Sequence, residues 1–237
     1  MYDVKHVVLV ILCAIGTVQP LCAAEPARFA VQLLGVRIGQ LEMSGGAGGG
    51  AYAARARFRT TGAAGLLARV RFDLAADGTT GGSVAGGGLV PAHYSEDMHT
   101  GRRRSASRLE AARGLLAPVG NRGTAAAPAP PPGALDPMTA LFAALRDQPE
   151  AALCRLDAPV FDGERHTRIR LTGRAVAADG IACSGTFSRV SGYSAGELAE
   201  RRHFPLSVTY RRQGRLWRAM AAEVRTLHGK VRLVRVD

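Results

Sequence analysis

Tyr52-Ala53-Ala54-Arg55-Ala56-Arg57-Phe58-Arg59-Thr60 reads as a β-strand with two unlike faces. Tyr52, Ala54, Ala56, Phe58 and Thr60 fall on one side, and Arg55, Arg57 and Arg59 on the other. An apolar face set against a charged one at period two marks an antiparallel sheet buried on a single side. The same alternation recurs outward from this stretch. Phe29, Val31 and Leu33 alternate with Ala30 and Gln32, and Val70, Phe72 and Leu74 with Arg69, Arg71 and Asp73. Ile169 and Leu171 alternate with Arg168, Arg170 and Thr172, and Leu206, Val208 and Tyr210 with Ser207, Thr209 and Arg211. The arginines therefore read first as a solvated outer face.

Turn residues punctuate these runs. Asp77-Gly78, Asp162-Gly163 and Asp179-Gly180 predict hairpin turns, with Gln213-Gly214 and His228-Gly229 punctuating the last strands. The glycine-rich stretch 45–50 is predicted as a hairpin loop. One helix is expected: Asp136 caps it, Pro137 takes its first position, and Met138, Leu141, Phe142 and Leu145 form a stripe at i, i+3, i+4 and i+7. Pro149 is expected to end it. The fold class that follows is mainly β: a curved antiparallel sheet, open barrel or half-barrel, with one short helix packed on its concave side.

At the N-terminus, Lys5 and His6 precede the apolar run 7–15, and Cys22-Ala23-Ala24 offers a cleavage site before Glu25. This predicts a signal peptide over residues 1–24 and an exported protein. The alternative, a membrane anchor, needs ~20 apolar residues, more than this run supplies. No later segment is apolar enough to span a bilayer. Removing residues 1–24 leaves about 213 residues, read as a single β domain (25–237) in two halves joined by a Pro/Ala-rich loop near 117–136. Two cysteines remain, Cys154 and Cys183, and an oxidising compartment favours a disulfide between them over two buried thiols. Such a bridge closes a loop of about 30 residues and stabilises the fold by ~3.6 kcal/mol in the chain-entropy model.

The net charge of +12 points to an anionic partner. Lys5 and Lys230 are the only lysines, and Ala and Gly abound, a pattern that a GC-rich genome writes whatever the function. Export removes nucleic acid from reach and leaves a lipid or an anionic envelope polymer as the partner to consider. Gly192-Tyr193-Ser194-Ala195-Gly196 fits the nucleophile-elbow spacing, with Glu223 and His228 following in hydrolase order. That chemistry needs a parallel sheet with crossover helices, whereas hairpins dominate here, so a strand-end turn is the favoured reading of Ser194. His93, His99, His166, His203 and His228 are scattered, without the spacing of a metal site. Glu96-Asp97 near His93 and His99 reads as a charged strand end, and Asp162 and Glu164 as turn residues. The expectation is no catalytic residue, no cofactor and no metal. Nothing in the sequence specifies an oligomeric state.

Leu135-Asp136-Pro137-Met138-Thr139-Ala140-Leu141, Val160-Phe161-Asp162-Gly163, Cys183-Ser184-Gly185-Thr186-Phe187 and Val190-Ser191-Gly192-Tyr193-Ser194 occur in that order, followed by Phe204-Pro205 and the closing strands. Together they resemble the bacterial exported proteins grouped as domain of unknown function 3108, over most of the mature chain and most strongly from Leu135 onward. The Ala/Pro-rich insertion before Leu135 and the glycine loop at 45–50 depart from that pattern. The resemblance implies a Gram-negative, periplasmic location and an antiparallel β fold. It carries no assigned reaction, and hence no catalytic residue. Three function classes follow. The first is a non-enzymatic protein binding a lipidic or amphipathic envelope component. The second is an envelope scaffold docking an anionic partner through Arg-rich strands, and the third a serine hydrolase acting through Ser194.

Overall fold

The structure is a computed structural model that describes residues 26–67, 69–101, 103–120 and 129–237. The expected signal peptide at 1–24 lies outside the described residues, as does the 121–128 part of the Pro/Ala-rich loop. The first half of the chain forms β1 (Ala27–Leu33), β2 (Val36–Gly48), β3 (Ala51–Thr60), α1 (Gly62–Leu67), β4 (Arg71–Thr80), β5 (Leu89–His99), β6 (Arg104–Ala112) and β7 (Leu115–Pro118). The second half forms α2 (Pro137–Leu145), β8 (Leu156–Phe161), β9 (His166–Ala177), β10 (Gly180–Ser191), α3 (Ala195–Glu200), β11 (His203–Gln213), β12 (Leu216–Thr226) and β13 (Gly229–Arg235).

All thirteen strands join one antiparallel sheet, in the order β7-β6-β5-β4-β3-β2-β1-β13-β12-β11-β10-β9-β8. The chain thus runs outward to one edge, crosses to the opposite edge, and returns until β13 pairs with β1, Phe29 opposite Arg235. Curvature brings the two edges toward each other, giving a nearly closed barrel-like sheet. Ser107 Oγ of β6 donates to the Asp162 carbonyl after β8 at 3.2 Å, and Gly163 lies against Leu109. The chain entering α2 covers the β8 edge: Leu135 donates to the Pro159 carbonyl and accepts from Phe161 N–H, both at 2.9 Å. This satisfies main-chain groups that would otherwise be left unpaired at an edge.

The predicted helix forms as expected, with Asp136 Oδ1 accepting from Thr139 N–H at 2.8 Å and Pro137 at its start. Its surroundings differ from the expectation of a single apolar stripe. Thr139, Ala140, Ala143 and Ala144 are buried along with Met138, Phe142 and Leu145. The helix sits inside the curved sheet, touching β3, β4, β5, β8 and β12. The small side chains allow close approach, as where Gly87 lies against Ala143. Its end is set at Leu145, before Pro149, where Arg146 leaves the helical conformation and reaches the Gly87 carbonyl at 2.7 Å.

Several turn predictions need correction. Asp77 and Gly78 lie inside β4, at a register shift against β5, and make no hairpin. A β-carbon on Gly78 would strike the Val90 carbonyl and the Tyr52 ring, so the glycine answers a close approach rather than a turn. Two other turns slide by one residue. Ala177 pairs with Gly180, which puts Ala178-Asp179 at the tip, and Thr226 pairs with Gly229, which puts Leu227-His228 there. The glycine stretch 45–50 is mostly strand. Only Gly49 and Gly50 turn, both at positive φ, as a two-residue hairpin requires. A β-carbon on Gly45 would strike the Ala53 carbonyl and Ala54 backbone of β3 and then the Phe142 ring of α2. Asp162-Gly163 does turn, with Asp162 Oδ1 accepting from the N–H groups of Glu164 and Arg165.

Candidate functional site

The apolar face of the barrel interior must be covered by something. α2 covers it. Met138 and Phe142 pack among Leu41, Met43, Tyr52 and Leu109 in one continuous core. The polar groups carried inward are matched to each other. Asp136 is fully buried and accepts from Thr139 Oγ1 at 2.5 Å, which leaves the Tyr52 hydroxyl to donate to Thr139 Oγ1 at 2.6 Å. Burial pushes the Asp136 carboxyl up to about 6, against the downward pull of the Thr139 donors. Burial also raises the Tyr52 and Tyr210 phenols. Tyr210 donates to the Ala144 carbonyl at 2.6 Å, which fixes the last turn of α2. Between α2 and the β8–β11 wall lies a cavity of about 190 Å³, bordered by Gly87, Ala144, Cys154, Leu156, Leu171 and Tyr210.

Cys154 and Cys183 are joined by a disulfide, their Cα atoms 5.0 Å apart. The bridge ties the segment entering β8 to the middle of β10, two strands away in the sheet. Cys183 is fully buried, so the bond lies in the core wall.

Ser194 caps α3. Its Oγ accepts from Glu197 N–H at 3.2 Å while Glu197 Oε2 accepts from Ser194 N–H at 2.9 Å, a reciprocal capping box, and the Oγ also donates to Oε2 at 2.9 Å. The Ser194 N–H bond and hydroxyl hold the Glu197 carboxyl below its usual range. Its proposed partners lie elsewhere: Glu223 pairs with Lys230 at 3.3 Å, and His228 sits in the β12–β13 turn. The strand-turn-helix read from the sequence is real, but the triad is not assembled. A serine–histidine contact that sequence spacing did not reveal joins Ser188 Oγ and His203 Nδ1 at 2.9 Å, directly opposite on β10 and β11. Among the described residues no carboxylate hydrogen-bonds to that ring, so nothing orients it as a base.

The remaining candidates are also separated. His93 bonds Asp77 at 2.8 Å, which raises its pKa, while Glu96 accepts from the Tyr94 hydroxyl at 2.7 Å. Glu96 and Asp97 are adjacent in a strand and point to opposite faces. Among the described residues, no group of three or more His, Cys, Asp or Glu is placed to hold a metal. No helix among them is long and apolar enough to cross a membrane.

The outer face is where charge collects. Asp157 lies between Arg168 at 2.6 Å and Arg170 at 3.7 Å, and the Arg168 bond holds its carboxyl below the usual range. Arg57 and Arg71 share Asp73. At the α3 corner, Arg165 and Arg189 flank the Tyr193 ring at 5.0 and 5.2 Å, and Arg189 and Arg201 lie over Phe204 at 5.1 and 5.9 Å. These stacks stabilise the corner. Among the described residues, exposed Arg55, Arg59, Arg104 and Arg108 of β3 and β6 have no carboxylate partner.

The sequence profile of the family described as "Protein of unknown function (DUF3108)" matches residues 28–190. The match takes in the first half of the sheet as well as α2 to β10, and stops before the Gly192-Tyr193-Ser194 turn. No curated protein matches the chain. A crystal structure of a "Beta-barrel-like Protein of Domain of Unknown Function DUF1849 from Brucella abortus" is similar at a TM-score of 0.49 and 10% identity, over 90% of this chain and 96% of that one. With more than half of its length matched, the chain belongs to the DUF3108 family.

Proposed function

We propose that this member of the DUF3108 family is exported to the periplasm, loses residues 1–24, and acts there as a single-domain, non-catalytic envelope protein that docks an anionic partner through its arginine-rich outer strands. The observation that carries this reading is the division of labour across the sheet. The concave face is occupied by the protein's own α2, while the convex face presents Arg55, Arg57 and Arg59 at alternate positions of β3 and leaves Arg55 and Arg59 without carboxylates. Solvent-facing cations in excess of their acids attract negative surfaces and raise the rate of encounter with them.

The same observation weighs against a lipid held inside. Small-molecule sites are commonly ~300–1,000 Å³, and the interior cavity is about 190 Å³. A hydrolase through Ser194 has no base at hand. The test is co-sedimentation of the mature protein with neutral and anionic vesicles across a salt series, with native mass spectrometry and lipid extraction of the periplasmic protein. Binding to the anionic surface that weakens as salt rises is expected. Retention that ignores salt, or none at all, would sink the docking reading. A reproducible co-purifying lipid would return the choice to the interior.

A further inference from the structure

The register of the first half places four basic residues in one cross-strand row. Arg59 of β3 is opposite Arg71 of β4, Arg71 opposite His99 of β5, and His99 opposite Arg104 of β6. Like charges directly opposite one another destabilise a sheet. The neighbouring row shows the usual remedy, with Arg57 opposite Asp73 and bonded to it. Asp73 also takes Arg71 at 3.2 Å, and Asp97 stands 3.7 Å from Arg71. These two acids are then used up. Arg59 and Arg104 keep no carboxylate among the described residues, and neither does Arg69, which precedes β4.

These residues line a depression. Arg59, Arg69, Arg71, His99 and Arg104 surround a space of about 320 Å³ together with Thr60 and Val70. Gly101, two residues after His99, lies against the Arg69 backbone. Gly101 N–H donates to His99 Nδ1 at 3.2 Å, so the ring's other nitrogen is the one left to donate outward. The larger groove beside it, about 510 Å³, is different in kind. There Arg55, Arg57 and Arg108 share the lining with four acids, Glu42, Asp73, Glu96 and Asp97. Concavity is common to both, and only the first has cations in excess.

We infer that the Arg59–Arg69–Arg71–His99–Arg104 depression is a binding site for a ligand carrying two or more phosphate groups. This rests on the anionic-docking reading and gives it a location and a chemistry. Planar guanidinium groups bind phosphate oxygens in pairs, and several converging forks suit a multiply charged anion better than a single carboxylate. The size of the row agrees. Three inter-strand steps of ~4.8 Å span roughly 14 Å, more than one phosphate covers. The phosphates could sit on a soluble polyphosphate or on lipid headgroups, and one experiment separates the two.

Mature protein, an Arg59→Gln/Arg104→Gln double variant and an Arg202→Gln/Arg225→Gln double variant are titrated with inorganic tripolyphosphate. Each is also floated with phosphatidylcholine vesicles with and without phosphatidic acid. The second variant removes the same charge from exposed arginines of the other half, and melting temperatures in the same samples confirm that both fold. The expected result is a loss of about tenfold or more in affinity for the first variant and about twofold or less for the second. Tripolyphosphate binding alone assigns a soluble ligand, and vesicle binding with the same dependence assigns a headgroup. Equal losses in both variants would overturn the site while leaving diffuse anionic docking intact. Failure of the unsubstituted protein to bind either probe would also overturn the site. Docking would then be judged by the salt series alone.

Discussion

The second half of the sheet, β8–β13, neutralises the arginines of its outer face. Arg168 and Arg170 share Asp157, Arg174 meets Glu150, Arg211 meets Asp179, and Arg218 meets Asp147. Those left over include Arg202, Arg215 and Arg225 at strand ends and turns, and Arg232 inside β13, where Glu223 stands opposite. This half also holds the disulfide. In the first half, β1–β7, arginines without carboxylates sit well inside strands, as at Arg55 and Arg108, and one cross-strand row is basic from β3 to β6. Both halves carry the same period-two pattern. What separates them is which residues the register sets opposite each other, and hence whether the outer face is built for stability or left charged at a cost.

The strongest way to break the contrast is to remove the covalent bond from the stabilised half. A Cys154→Ala/Cys183→Ala variant is expected to lose ~3.6 kcal/mol of unfolding free energy in the chain-entropy model, read as a fall in the urea midpoint. A loss below about 1 kcal/mol would mean that packing, rather than the bridge, holds β8–β10 in place.

Next in size is Asp136, whose helix touches both halves. Its carboxyl titrates at about 6 in the folded chain against 3.8 as the ordinary value. The native state therefore holds this proton more tightly than the unfolded state does. Its contribution is fully present below about pH 4 and is lost as pH rises through about 6, up to about 3 kcal/mol in all. Asp157 and Glu197 are shifted the other way, so the comparison must be between two chains. Asp136→Asn should lack this fall, and parallel stability curves for the two proteins from pH 4 to pH 7 would contradict it.

The smallest effect sharpens the comparison most. Arg168→Gln takes one partner from an Asp157 pair and should cost about 0.2–1 kcal/mol. Arg59→Gln relieves a like-charge row and should change stability by a similar small amount in the opposite direction. Thermal melts at low salt would show the opposite signs. Destabilisation by both would show that the basic row is not under repulsion.

Local signals read correctly where the physics is local. The alternation at Tyr52–Thr60 set the strand and its buried face, Asp136-Pro137 set the start of α2, and Cys154 and Cys183 are the two cysteines of the β domain and are bonded to each other. Gly78 was misread because a glycine at a turn and a glycine under a crossing backbone look the same in sequence. α2 looked one-sided because Ala140, Ala143 and Ala144 do not register as an apolar stripe, yet they are buried along with the larger residues. Ser194 had the right spacing for a nucleophile and proved to be a cap, since spacing says nothing about where a base will lie.

Strand periodicity, a helix cap and a single cysteine pair depend on neighbours a few residues away or on composition, and so they were legible in the chain alone. The closing of β1 on β13, the burial of α2 on all sides and the alignment of Arg59, Arg71, His99 and Arg104 depend on register summed over many hairpins. A one-residue slip in any of them turns a whole face from outside to inside. Only the assembled sheet decides that, because the energy that selects the register comes from the core on the opposite face, and not from the charges the register brings together.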